Sequence, residues 1–411
     1  MPIPSDLTPA IGTALIKHFF GEQFGPTPTF EPISDGIQNY NGFVVDSTGE
    51  NKLFLSFLRF GQGEYTSIEH LQSNIGFVNK LKEHGLNTPQ YLPNQHGAHI
   101  FTAPNHITTD DGHTQDVPQQ LKGSLVTAQA YCPGTSLSNP VTNDHEACIL
   151  GRTLAQLHKI ADTNFTKKQI ASLPSAVSLQ TLKTTLLVSM GFKQDTLIND
   201  ALKNSATATQ KITAHIHALL SEKQNPLLSQ FLTELQQGWV EKTLQHMKTA
   251  LNDWGEHKFD DLPKTLCHGD FHAGNMFQEG TIYDMGYLGE HTRIFDICQA
   301  IVISCHADSK CDIEAAKKVL QGYQEQVKLT PEELIAMPTM LAVTHIRSTV
   351  TRFCSIMNAK SSDEISKLPS ELQDRLEHYK TQPPGNWANQ EQQLEHPNLS
   401  QLVPAKGIQQ Q

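Results

Sequence analysis

The 411-residue chain has no Cys-x-x-Cys pair, no cluster of lysine and arginine, and no apolar run approaching the roughly 18 residues a membrane span requires. Each absence removes a class of protein. An odd count of seven cysteines without close pairs argues against a disulfide framework and for a reducing compartment with mostly buried thiols. Cys267 and Cys298 lie in apolar runs and read as core. The formal charge is -11, with 31 basic against 42 acidic residues, so no nucleic acid partner is expected, because phosphate backbones are held by grouped cations. The amino terminus lacks a charged-then-apolar signal, which points to a cytoplasmic protein without membrane attachment. What remains is a globular chain, 38% apolar and 18% charged, long enough for two lobes with their own cores. Composition leaves the oligomeric state open.

Along the chain the periodicity changes once. From about Phe30 to Phe60, apolar stretches separated by Asp35-Gly36 and Ser47-Thr48-Gly49 predict an antiparallel meander of three strands. A helix is expected from Ser67 to His84, stopped by Gly85, with further strands near His99–Phe101 and Ser124–Tyr131 and a surface loop over Pro104–Lys122. The first 130 residues therefore read as sheet-rich with one helix. Beyond Pro133-Gly134 the pattern turns helical, with Ala147, Leu150, Leu154 and Leu157 behind an Asn143/Glu146 capping pair, and a second start at Thr330-Pro331-Glu332-Glu333. Residues 165–260 read as a helical insert and 381–411 as a flexible tail rich in Pro, Gln and Asn. The expected fold class is α+β, with residues 1–128 as an amino-terminal lobe, 129–134 as a hinge and 135–380 as a mainly helical lobe.

Chemistry concentrates in one segment, Leu266-Cys267-His268-Gly269-Asp270-Phe271-His272-Ala273-Gly274-Asn275-Met276-Phe277, followed by Thr281-Ile282-Tyr283-Asp284-Met285-Gly286. A strand-like approach, a polar loop with two glycines and a second short strand ending in Asp bring two carboxylates and an amide together. Phosphoryl transfer needs a carboxylate to accept a hydrogen bond from the attacking hydroxyl and a metal to bridge the phosphate oxygens. Asp270 suits the first task. Asn275 and Asp284 offer the hard oxygens that magnesium takes together with ATP.

The segment resembles the H-G-D-x-x-x-x-N catalytic loop and following D-x-G-like strand end of the aminoglycoside phosphotransferase and choline kinase-like superfamily. Asp296 in Arg293-Ile294-Phe295-Asp296-Ile297 matches the superfamily's downstream Asp. Ile33-Ser34-Asp35-Gly36-Ile37-Gln38-Asn39-Tyr40-Asn41, the run Leu150 to His158, and Leu320-Gln321-Gly322-Tyr323 are similar to stretches of its bacterial homoserine kinases. The resemblance implies a protein-kinase-like fold with an antiparallel sheet in the first lobe and ATP between the lobes. It implies Asp270 as base, Asn275 and Asp284 as magnesium ligands, and His268 and Asp296 as supports of the loop. Gly36, Gln38 and Asn39 would cover the phosphates, and the backbone of the hinge from Gln129 through Tyr131 to Gly134 would hydrogen-bond adenine. His272 reads as a loop or substrate-side residue. The implied acceptor is the hydroxyl of a small molecule such as homoserine, choline or an aminoglycoside.

Two positions depart from the superfamily pattern. Leu53-Phe54-Leu55-Ser56-Phe57-Leu58-Arg59 has no lysine where one normally meets the phosphates, leaving Ser56 or Arg59 according to register. The helix that normally supplies a paired glutamate offers Asn74 or Glu69. Both losses would suit a catalytically weak nucleotide-binding module that engages a protein partner, whereas a module of that kind has no need of Asp270, Asn275 and Asp284 together. A dinuclear hydrolase would require an Asn followed by His, and Met276 follows Asn275. Only 12 positions separate Asp284 from Asp296, too few for the platform on which protein kinases hold a peptide.

Overall fold

The structure, a computed structural model, describes residues 7–33, 39–58, 67–173, 261–307, 310–341 and 344. Gly36, Gln38, Arg59, residues 174–260 of the expected insert and the expected tail lie outside the described residues. By contact the chain divides into two compact units. The first comprises residues 1–136, 163–174 and 275–288, and the second 137–162, 175–274 and 289–411.

The first unit is built on an antiparallel sheet. Strands β1 (Thr29–Ile33), β2 (Tyr40–Val45) and β3 (Asn51–Leu58) form the expected meander. β3 pairs with β8 (Leu125–Ala130), which also takes β4 (Tyr91–Leu92) and β5 (Phe101–Thr102). Alternation sorts the side chains to two faces. Leu53, Leu55, Phe57, Val126 and Ala128 pack into a core with Ile11, Leu15, Ile16, Phe19 and Phe20 of α1 (Pro9–Phe20). Asn41, Ser56 and Thr127 stand side by side on the opposite face, as do Phe43, Phe54 and Gln129.

Helix α1 corrects the expectation of a single helix before residue 130. Its signals are local: Thr8 caps the N–H of Ile11, Pro9 occupies the first turn, and Gly21 ends the helix at φ +61°. The second helix, α2 (Ile68–Glu83), begins and ends where expected, with Ser67 accepting from His70 N–H. Residues 104–122 are not all loop. β6 (His106–Thr108) and β7 (Thr114–Asp116) form a hairpin whose turn is closed by the Thr109 hydroxyl donating to Asp111 at 2.6 Å. Its polar composition hid it, because only Ile107 of the pair is apolar and buried.

In the second unit, α3 (Asp144–Asn164) packs on α6 (Ile313–Gln324) through two glycines. A Cβ on Gly151 would run into the carbonyl of Val319, and one on Gly322 into that of Cys148. The two backbones meet there with no side chain between them. Asn143 caps α3 by accepting from Glu146 N–H at 3.0 Å, but the Glu146 carboxylate turns back to Thr142 N–H instead of Asn143. At residues 331–341, helix α7 has the full reciprocal pair, Glu333 N–H to Thr330 Oγ1 and Thr330 N–H to Glu333 Oε2. The fully buried Glu333 also takes a bidentate pair from Arg293, at 2.6 Å for both nitrogens. Arg293 opens α5 (Arg293–Ser304), so the starts of two helices are tied together. Among the described residues no helix is long and apolar enough to cross a membrane.

Because the α3–α6 contact is backbone on backbone, Gly151→Ala or Gly322→Ala should lower stability by about 1–3 kcal/mol. Urea unfolding measures this, and a change within 0.5 kcal/mol would show that the helices can part without cost.

Candidate active site

The segment singled out above is held from below by one helix. β9 (Lys264–Cys267) pairs with β10 (Gly289–Thr292), Cys267 opposite Gly289, and the chain then turns over the start of α5. There Asp296, buried completely, accepts from His268 N–H at 2.6 Å and Gly269 N–H at 3.0 Å. Gly269 sits at φ +82°, which lets consecutive N–H groups converge on one carboxylate. Asp296 also meets His158 Nε2 at 3.3 Å, and His158 Nδ1 lies 2.9 Å from the Tyr323 hydroxyl. Burial by itself would push the Asp296 carboxyl up. His158 and the Gly269 N–H outweigh it and hold the group below its usual range.

Two further residues of α5 continue the support. Gln299, one turn beyond Asp296, donates from Nε2 to Asp270 Oδ1 at 2.7 Å. Ser304 accepts from Ala273 N–H at 2.8 Å. His268 Nδ1 accepts from Asp270 N–H at 3.3 Å, and His272 Nε2 lies 3.9 Å from Asp270 Oδ2. Gln299 escaped the reading of the sequence. Its signal was a polar residue three places after Asp296 in an otherwise apolar helix, and such a residue shows its purpose only when its partner is known.

Asn275 and Asp284 belong to the first unit. Between them lies a hairpin: Met276 bridges Ile282, Phe277 N–H donates to Thr281 carbonyl at 2.9 Å, and Tyr283 N–H donates to Asn275 carbonyl at 3.0 Å. In that register the two residues stand at the open end of one turn. Asp284 is the one non-glycine with positive φ among the described residues (φ 59°, ψ 51°), a conformation Asp tolerates better than most. It starts a short turn of 3-10 helix over Met285–Tyr287. The hairpin is pinned to the segment after β8 by Gln278 N–H to Thr135 carbonyl (2.8 Å) and the bridge Ser136–Phe277, and to the loop after α2 by Asn87 Nδ2 to Thr281 Oγ1 (2.7 Å).

Of the nucleotide-side candidates, Gln129 lies on β8 opposite Phe54, and Tyr131, 36% exposed, meets Phe43 edge to face at 5.6 Å. Asn39 immediately precedes β2. Ser56 is on the face away from the α1 core, beside Asn41. Asn74 and Glu69 differ in position. Glu69 is exposed in the first turn of α2, where its own backbone N–H and the Ser67 hydroxyl lower its carboxyl pKa, whereas Asn74 is fully buried. Magnesium favours hard oxygen donors, and an amide and a carboxylate at the end of one hairpin are such a set, so the residues present fit the ion.

Of the six described cysteines, Cys267 and Cys298 are buried as expected, with Cys305, while Cys132, Cys148 and Cys311 are partly buried. Burial drives the Cys267 and Cys298 thiols far up, so they remain protonated and inert. Cys267, His158 and Asp296 come close enough to suggest a metal site. Asp296 and His158 already hold protein partners there.

An antiparallel sheet with a helix, joined in sequence to helices and a catalytic-loop-like segment, defines a kinase-like protein. Solved structures agree. The microcompartment-associated aminopropanol kinase is similar with a TM-score of 0.55 at 14% identity, covering 90% of this chain and 97% of that one. Spectinomycin phosphotransferase in complex with ADP and spectinomycin gives 0.54 at 13% identity, covering 90% and 93%. Residues 29–333 match the Phosphotransferase enzyme family, and the chain belongs to that family as a small-molecule phosphotransferase. Among curated proteins, homoserine kinase of Rhizobium meliloti (strain 1021) is 21% identical over 368 residues, 88% of this chain and 90% of that protein.

The Asp296 network sets a pH dependence. Its folded pKa is depressed, so its stabilisation is complete above the ordinary carboxylate value of about 3.9 and is lost as pH falls through the lower folded value. Asp296→Asn should cost about 3 kcal/mol at pH 7 and clearly less at pH 3, measured by urea unfolding. An equal loss at both values would show that the charge contributes nothing.

Proposed function

We propose that the protein transfers the γ-phosphoryl group of ATP to the hydroxyl of a small amino alcohol or amino acid. The observation that carries this is the double hold of α5 on the loop, Asp296 on its backbone and Gln299 on the Asp270 carboxylate. A carboxylate oriented before its substrate arrives avoids the entropy of finding its position in the transition state. The names of the similar proteins, homoserine kinase and aminopropanol kinase, support an acceptor that carries an amine beside its hydroxyl.

In the proposed step the first unit binds nucleotide, with adenine beside Gln129 and Tyr131, the phosphates near Gly36, Gln38, Asn39 and Arg59, and the hinge at residues 129–134. The second, mainly helical lobe takes the acceptor, with His272 on its side. Asn275 and Asp284 would hold magnesium, which supplies charge neutralisation at the triphosphate. Asp270 accepts the hydrogen bond of the acceptor hydroxyl and takes its proton. The hydroxyl oxygen forms a bond to the γ-phosphorus in line with the breaking bond to the bridging oxygen, and ADP leaves. His268 acts through the loop, accepting the Asp270 N–H. A cytoplasmic location, where ATP is made and thiols stay reduced, suits this chemistry.

The test is turnover of ATP with homoserine, aminopropanol, ethanolamine, choline and spectinomycin in turn. Asp270→Ala should lower kcat by about 10²–10⁴-fold with an unchanged melting curve. Gln299→Leu should lower kcat about tenfold and leave the KM for ATP alone, because it frees the carboxylate without touching nucleotide. Wild-type protein that binds ATP with magnesium but phosphorylates none of the five would favour a nucleotide-binding interaction module instead.

A further inference from the structure

α2 is anchored through an uncharged side chain. Asn74, 0% exposed, donates from Nδ2 to the carbonyl oxygen of Met285 at 2.7 Å. Met285 directly follows Asp284 and is the first residue of the short 3-10 turn that Asp284 opens. The bond therefore fixes the peptide next to a residue whose backbone is in the left-handed region. Thr88 touches the same residue differently, its hydroxyl lying 3.7 Å from the Met285 sulfur.

The other end of the Asn74 amide is buried and has no hydrogen-bond partner among the described residues. A buried amide oxygen without a donor is costly, and natural proteins keep one where a ligand or water completes it. Side-chain chemistry limits what can complete it. Oδ1 accepts and cannot donate, so a water or an N–H can complete it.

We propose that Asn74 is the positioning residue of the Asp284 turn. Its Nδ2 holds the turn ready, and its Oδ1 accepts a hydrogen bond from a donor that arrives with the magnesium nucleotide. An uncharged amide thus joins α2 to the metal-binding turn, where an ion pair would join it to the sheet. Nucleotide affinity should therefore depend on magnesium more than on any fixed cation. This rests on the assignment of Asp284 as a metal ligand.

The experiment measures binding of AMP-PNP by calorimetry across a magnesium series, together with amide hydrogen exchange of residues 284–288 in protein free of metal and nucleotide. Asn74→Ala should raise the magnesium concentration for half-maximal binding about tenfold and speed exchange at Met285–Leu288. AMP-PNP binding without magnesium should not change. Thr88→Val, which removes only the contact to the sulfur, should leave the magnesium series where it is. Asn74→Gln, which keeps the amide, should recover part of the loss. If Asn74→Ala lowers the melting temperature but leaves both exchange and the magnesium series unchanged, Asn74 merely packs and the proposal is overturned. Asp284→Ala separates the two readings. A magnesium series unaffected by Asp284→Ala overturns the metal assignment and this proposal with it, whereas one abolished by Asp284→Ala but untouched by Asn74→Ala overturns this proposal alone.

Discussion

The buried carboxylate of Asp296, accepting from two consecutive backbone N–H groups, is the contact on which the candidate site depends. A loop of this kind exposes unpaired N–H groups that must be satisfied somewhere. Here they point down into the protein, at an acid whose charge is kept by His158 and by the N–H groups themselves. The His268 ring meanwhile accepts from the Asp270 N–H at 3.3 Å. Gln299 and Ser304 extend the arrangement along α5, so a single helix sets the height, the turn and the carboxylate orientation of residues 268–273. Such a loop needs little rearrangement to act, which is the physical content of preorganisation.

The second constraint is the hairpin over residues 275–284. Although it continues the candidate loop in sequence, its contacts go to the segment after β8 and to the loop after α2, and it belongs to the first unit. Asn275 and Asp284 therefore fall in the unit built on the sheet, and Asp270 in the mainly helical one. The boundary falls at Gly274, where a Cβ would meet the His272 ring at 3.0 Å.

Much of this was legible beforehand for identifiable reasons. The meander, α2 and the cap at Thr330 were readable because their signals are local, within four residues of the position they determine. The segment 266–286 stood out because Asp, Asn and Asp at those spacings have few other uses. α1 was missed although its cap, proline and apolar spacing are all present. The β6–β7 hairpin was missed because its stability comes from turn hydrogen bonds and not from an apolar pattern.

Residue types and their spacing along the chain are sufficient to specify which groups can accept a proton or hold a hard cation, since that chemistry resides in the side chains themselves. They leave open which of several polar residues in a helix meets a distant partner. Gln299 finds Asp270, Asn74 in place of Glu69 finds Met285, and Gly151 finds the backbone of α6 only through packing of elements far apart in sequence. Long-range contact depends on the register and rotation of whole helices, and these are set by the summed burial of their apolar faces, a property no short window of residues contains.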